Sequence, residues 1–433
     1  MGEEKSAFNL IMAGGDIPDI MRNVNDHYSG GVVQAVEDGI FIDLTDYAEQ
    51  FAPDYVALIN QQDDWHKEIY TEDECLLAFY QVWPDGNSTA NRVIVNQQWW
   101  AEYSDQDYPV TLDDYDAFFA HIKQTYPNVI PFCYEMTSIK WMGAFNLLDG
   151  WIVRDGEVVN SYATQEYWDY LELMNKWYEA GYINPDFATM ENTEIRKLFS
   201  TGQTATIVAT VDLARSDAEN SEMKPLMCPN PRQSVDSVLH TSEKQNFCGG
   251  NAACVYSECK YIEEAIMFLN YGYTEDGFYV YNYGVEGMTY NMVDGEPVYT
   301  DLVLNNPDIP LNAAIFYWRI HVAPKWCANG VKTNPAILGD PEGLRLRLQF
   351  TDDANLQTDY RLSPAVMLTT EENARRAEIM TDVNTYIEEM RIKFITGAEP
   401  LSNYDAYLTQ LDAYDYQEAE SITQAAYDRY ASR

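Results

Sequence analysis

Positive charge is scarce in this chain. Its 433 residues carry 27 lysines and arginines against 69 aspartates and glutamates, a formal net charge of −42. A field of that sign repels phosphate backbones and anionic headgroups, so nucleic acid and membrane surfaces are disfavoured partners. Histidine is nearly as scarce. His27, His66, His121, His240 and His321 stand apart with no H-E-x-x-H spacing, and no resident metal or cofactor is expected. The seven cysteines (Cys75, Cys133, Cys228, Cys248, Cys254, Cys259, Cys327) are odd in number and form no C-x-x-C pair. That argues against a zinc site and a complete disulfide framework, leaving buried thiols with room for one bridge if the protein is exported. No apolar run approaches the roughly 18 residues of a membrane-spanning helix. No signal peptide begins the chain, and Met1-Gly2 followed by Glu3-Glu4-Lys5 reads as a late start, which is not evidence of cytoplasmic residence. Signatures of catalysis are missing too: no G-x-S-x-G elbow, no phosphate-binding loop and no dinucleotide fingerprint. Asp63-Asp64 and Asp113-Asp114 are neighbours of the kind that 69 acids produce by chance.

What is present is aromatic and periodic. Tyrosine (33) and tryptophan (10) dominate an aromatic content of 14%, and rings with a polar handle suit both cores and sugar stacking. The length implies two or more lobes, each with its own core. A helix-like run through Phe8, Leu10, Ile11 and Met12 stops at Gly14-Gly15, and Pro18 forces Ile17 extended ahead of a short strand at Asp19-Ile20-Met21. Ile40–Leu44, Cys75–Tyr80, Arg92–Asn96, Ala205–Val211 and Cys248–Val255 have the length and apolar character of buried strands. Thr111 with Asp114, and Thr369-Thr370-Glu371-Glu372, are helix-start signatures, the second opening a long helix toward Phe394. Residues 161–202 read as helical, with Trp168, Leu171, Met174 and Tyr178 as a core-facing stripe. The last thirty residues are helical and acidic. Strands alternating with helices predict parallel α/β sheets.

Several segments, in order, resemble the extracellular solute-binding proteins of ABC importers, family 1, carbohydrate type. Ala13-Gly14-Gly15-Asp16-Ile17-Pro18-Asp19-Ile20 is similar to that family's A-S-G-D-L-P-D-I wording. Asn96–Trp100 ahead of Tyr108–Tyr115 looks like its crossover strand and next helix start. Ala180–Phe187 is similar to G-L-I-N-P-D-F and is followed by Leu198–Ala205. Tyr283-Gly284-Val285-Glu286-Gly287-Met288-Thr289-Tyr290 is close to the Y-G-x-E-G-x-x-Y of the lipoprotein-A-like oligosaccharide binders, and Lys393–Gly397 to K-F-I-T-G. The chain departs from the family at its start, where a lipoprotein signal and a strand–helix–strand would precede residue 13. It departs again at Thr125–Phe132, which lacks the acidic ladder of the family's calcium loop, so no calcium is expected.

The resemblance implies an α/β, two-lobed periplasmic-binding-protein-like fold of type II, with a hinge between discontinuous lobes and a shortened first lobe. The lobes are expected at 1–96 plus 250–325 and at 97–249 plus 326–433. It also implies a non-enzymatic, monomeric substrate-binding component on the extracellular face of the membrane, holding an oligosaccharide between the lobes and handing it to permease subunits. Ligand contacts are expected just past strand ends, where open α/β sheets place them. Those are Asn23, Asn25, Trp83, Asn87, Trp141, Asp212 and Asn251, with Tyr281, Tyr317, Trp318 and Arg319 from the later segment; Glu286, between two glycines, reads as structural. A secreted glycoside hydrolase working through a carboxylate pair, and a peptide or small-molecule binder on the same scaffold, are the alternatives.

Overall fold

The computed structural model describes residues 2–84, 91–135, 140–218, 221–241, 248–309, 311–314, 317–319, 324–328, 355–363 and 365–433. The opening helix Gly2–Gly14 ends as its sequence dictates: Gly15 takes φ +70° and its N–H bonds Ile11 O at 3.2 Å. Strand β1 (Ile20–Arg22) follows. It forms one edge of a three-stranded sheet whose centre is β9 (Cys248–Val255) and whose other edge is β2 (Phe79–Val82). Leu44, Tyr55, Phe79, Val255, Ile266 and Tyr273 fill the core on one side of this sheet.

A second three-stranded sheet has β3 (Asn91–Asn96) between β6 (Thr206–Thr210) and β7 (Pro225–Cys228). Residues 91–96, expected with the first lobe, are therefore hydrogen-bonded into the other sheet. The expectation of parallel sheets is corrected. β1 and β2 pair antiparallel with β9, and β6 and β7 antiparallel with β3. The central strand of each sheet runs against both neighbours. Parallel pairing survives between β8 (Leu239–His240) and the two-residue strand Leu356–Gln357 and in single bridges such as Phe132 with Ile183. Of the expected strands, Ile40–Leu44 reduces to one bridge, Phe41 with Tyr256, and Cys75–Tyr80 overlaps β2 only at Phe79 and Tyr80.

Three crossings lie side by side. Val82 pairs with Cys248 at the start of β9, and its N–H and C=O bond Lys325 O (3.0 Å) and Cys327 N (2.8 Å). The half-buried Glu68 carboxylate accepts the Cys248 N–H at 2.9 Å, and its desolvation raises its pKa. All seven cysteines are free, five of them buried.

The largest core surrounds the helices Leu112–Thr125, Gln165–Glu179 and Thr370–Thr396. Both expected capping boxes are formed, Thr111 with Asp114 and Thr369 with Glu372. The 27-residue helix Thr370–Thr396 packs on Gln165–Glu179 and Tyr416–Ala431 and stops at Gly397, φ +74°. No helix among the described residues is long and apolar enough to cross a membrane.

Candidate functional site

Two cavities meet along the first half of the helix Thr370–Thr396. One, of about 500 Å³, lies between that helix and the hairpin β4 (Trp151–Arg154) to β5 (Glu157–Asn160). The other, of about 450 Å³, lies between the same helix and Phe8, His27, Tyr28, Gln34 and Asp38 near the start of the chain. Asn373 and Ala377 line both, so the two form one trench walled by residues from distant parts of the sequence. Thr370 Oγ1 donates to Glu37 Oε2 at 2.9 Å across it.

The hairpin wall follows from local chemistry. Asp155 and Gly156 both take positive φ (+53° and +87°), the tight turn that Asp-Gly favours between twisted strands. That pairs Trp151 with Asn160. The Trp151 ring stacks on Tyr416 at 5.8 Å and 7°, fixing its plane. Asn160 Oδ1 accepts the Tyr162 N–H, and the Tyr162 hydroxyl donates to Asp149 Oδ1 at 2.5 Å. Under Tyr162 lies Arg391, its guanidinium carbon 4.9 Å from the ring centre, with Nε donating to Tyr167 OH at 3.2 Å. A tyrosine ring face and a tyrosine hydroxyl thus pack against a buried cation. Asn373, Arg376, Met380, Asn384, Ile387 and Arg391 recur at helical spacing and line this cavity.

On the opposite wall the Tyr28 hydroxyl donates to Asp38 at 2.5 Å, and Gln34 Nε2 donates to the other Asp38 oxygen at 2.8 Å. These bonds hold Asp38 below the usual carboxylate range and lift Tyr28 to about 12. The His27 ring meets Phe8 edge-on at 5.6 Å, while its Nε2 is buried without a hydrogen-bond partner among the described residues. Arg22 Nη1 and Asn23 Oδ1 share that condition. Unpaired buried polar atoms are costly, and three within six residues form a patch with unused bonding capacity.

The expected site residues divide sharply. Asn23 belongs to this patch. Trp83 stands half-exposed where β2 ends, beside the crossings, and lines neither cavity. Asn25 is structural, its Oδ1 accepting the Ala252 N–H at 3.0 Å. Trp141, expected on a loop, is 0% exposed among Tyr115, Phe132 and Trp177, a core side chain beyond the reach of a ligand in this conformation. Tyr281 is buried against Tyr271, and its carbonyl accepts Lys325 Nζ. Tyr317 is 69% exposed, Trp318 packs against the Tyr283 core, and Arg319 Nη1 donates to Asn282 O; none of the three joins the trench. Asn87 lies outside the described residues. Asp212 is the second residue of the helix Val211–Asp217 and Asn251 stands in β9, their side chains likewise outside what is described. Trp151, Tyr162, Arg376 and His27 were not anticipated as contacts. The Asp155-Gly156 turn between alternating apolar residues was the signal for the hairpin. No group of three or more His, Cys, Asp or Glu suited to a metal is gathered among the described residues.

No family model matches the chain. Among curated proteins it is 26% identical over 324 residues to lipoprotein LipO of Bacillus subtilis, covering 70% of this chain and 62% of that one. It is 25% identical over 309 residues to the polygalacturonan/rhamnogalacturonan-binding protein YtcQ of the same species, covering 66% and 59%. The chain spans about three fifths of the length of these relatives. Among solved structures, alginate-binding protein AlgQ2 superposes with TM-score 0.74 at 19% identity over 98% of this chain and 89% of that one. An extracellular solute-binding protein from Bifidobacterium longum subsp. infantis gives 0.76 at 16%, over 99% and 90%. Streptococcus pneumoniae FusA in complex with kestose gives 0.74 at 17%, over 99% and 91%. The chain has the two-lobed α/β fold of these solute-binding proteins.

Proposed function

We propose that this protein is a carbohydrate-binding component of an ABC importer, working outside the cytoplasm without catalysis and delivering an oligosaccharide to membrane permease subunits. The observation that carries this reading is the trench along Thr370–Thr396. Trp151 and Tyr162 offer ring surface for sugar C–H faces, while Asp149, Asn373, Asn384 and Arg376 offer donors and acceptors for hydroxyls. The relatives' names point the same way, to polygalacturonan and rhamnogalacturonan for YtcQ and alginate for AlgQ2.

One lobe comprises the β1–β9–β2 sheet, the other the β6–β3–β7 sheet with the long helix. Val82, Cys248 and the 325–327 segment form the hinge, and closure about it brings His27 and Phe8 toward Trp151 and Tyr162. A thermal-shift screen of oligosaccharides tests the proposal, since a bound ligand stabilises the folded state by mass action. Saturable stabilisation by a saccharide is expected. Stabilisation by peptides alone rejects the carbohydrate reading, and release of shortened products would replace it with a hydrolase working through carboxylates such as Asp149 and Glu388.

A further inference from the structure

In a chain so rich in carboxylates, arginines find partners readily. Arg154, Arg196, Arg375, Arg429 and Arg433 each have a carboxylate oxygen within 4.0 Å. Arg375 alone engages Glu378, Asp415 and Glu418. Arg376, the next residue, points to another side of the helix and engages none among the described residues. Its polar contact is a hydroxyl, Nη1 to Thr423 Oγ1 at 3.4 Å. It is half-buried, and it lines the cavity that holds Trp151 and Tyr162.

A partly desolvated guanidinium without a counter-ion is unfavourable, and its planar fork of N–H donors matches a carboxylate two bonds at a time. The acids that share the cavity do not fill this role. Asp149 Oδ1 accepts the Tyr162 hydroxyl. Glu388 stands twelve residues further along the helix, about 18 Å of rise away. Against a net charge of −42, an anionic ligand needs such a local cation to offset the repulsive field.

We propose, resting on the carbohydrate-binding reading above, that the ligand is an acidic oligosaccharide and that Arg376 receives the carboxylate of one of its uronic acid residues inside the trench. Trp151 and Tyr162 then take the ring faces, so that stacking sets the position and Arg376 selects the acid.

The test is calorimetric titration with trisaccharides of galacturonate, mannuronate and glucuronate, their neutral methyl esters, maltotriose, and a sulfated trisaccharide. The wild-type chain and Arg376→Gln are compared after circular dichroism and melting show both folded. At least one uronate is expected to bind about tenfold or more tighter than its methyl ester, with Arg376→Gln bringing that ratio near one. Arg376→Lys, which keeps the charge but loses the fork, is expected to fall between them. Equal binding of acid and ester, a ratio that survives Arg376→Gln, or preference for the sulfated sugar overturns this assignment and leaves the carbohydrate reading intact. Failure of every saccharide to bind overturns both.

Discussion

Arg429, on the last helix of the chain, donates from Nε to Glu72 Oε1 at 3.1 Å and from Nη2 to Glu372 Oε2 at 2.6 Å. Glu72 follows the helix Asp63–Ile69 near the start of the chain, whereas Glu372 belongs to the capping box that starts the long helix. One guanidinium thus ties the start of the long helix to a segment from the first part of the chain, at the head of the trench. Arg433 Nη2 adds a bond to Tyr70 O at 3.1 Å. Arg429→Ala is expected to cost about 1 kcal/mol, and less at high salt, because exposed ion pairs are individually weak and screened. It should also widen the distribution of lobe angles. Small-angle scattering of the ligand-free protein at low and high salt reads this directly; an unchanged radius of gyration removes Arg429 from the control of closure.

Tyr162→Phe removes the hydroxyl donated to Asp149 but keeps the ring over Arg391. Stability is expected to fall by about 1 kcal/mol, the net worth of one such bond. Stacking on a sugar should survive, so oligosaccharide affinity falls a few-fold at most, whereas Trp151→Ala costs tenfold or more by loss of its ring face. Calorimetry on the two variants separates these roles.

Trp141→Ala is expected to destabilise the fold by about 3–5 kcal/mol, as for other large-to-small changes in a packed core. Its ring meets Tyr115, Phe132 and Trp177 at 4.8, 4.9 and 5.2 Å between centroids. Urea unfolding measures this. A loss of affinity with no loss of stability would instead return Trp141 to the ligand site.

Lys325 is buried at the third crossing, its ammonium donating to Tyr281 O, and burial pulls its pKa down to about 8. The unfolded chain, with an ordinary lysine near 10.4, binds the extra proton between these values. Stability contributed through this group is therefore lowest below pH 8 and recovers as pH rises toward 10. Lys325→Met should abolish that slope. The difference between wild-type and variant urea midpoints from pH 7.5 to 10 checks it, and identical slopes would contradict it.

Local signals carried most of the fold. Thr111/Asp114, Thr369/Glu372 and the glycines at 15 and 397 mark helix ends through bonds made within a few residues, and β3, β6 and β9 are apolar enough to announce themselves. Strand direction was not legible, because pairing partners such as Val82 and Cys248 lie far apart in sequence and their register depends on the crossings. The site was less legible still. Trp141 and Trp151 are both tryptophans ten residues apart, yet one is enclosed by rings from two helices and from the bridge residue Phe132, and the other sits on a hairpin beside a helix more than two hundred residues later. Nothing local to either distinguishes them. The unusual property of Arg376, a cation with no acid paired to it among the described residues, likewise emerges only once its neighbours in space are known.

The central claim is that a saccharide lies in the trench along Thr370–Thr396. A crystal structure of the protein grown with a saccharide shown by calorimetry to bind tests it most directly. The account predicts sugar density against Trp151 and Tyr162, with an anionic group at Arg376 and His27 or Phe8 closing from the other wall. Density elsewhere, with none of Trp151, Tyr162 or Arg376 in contact, would contradict it.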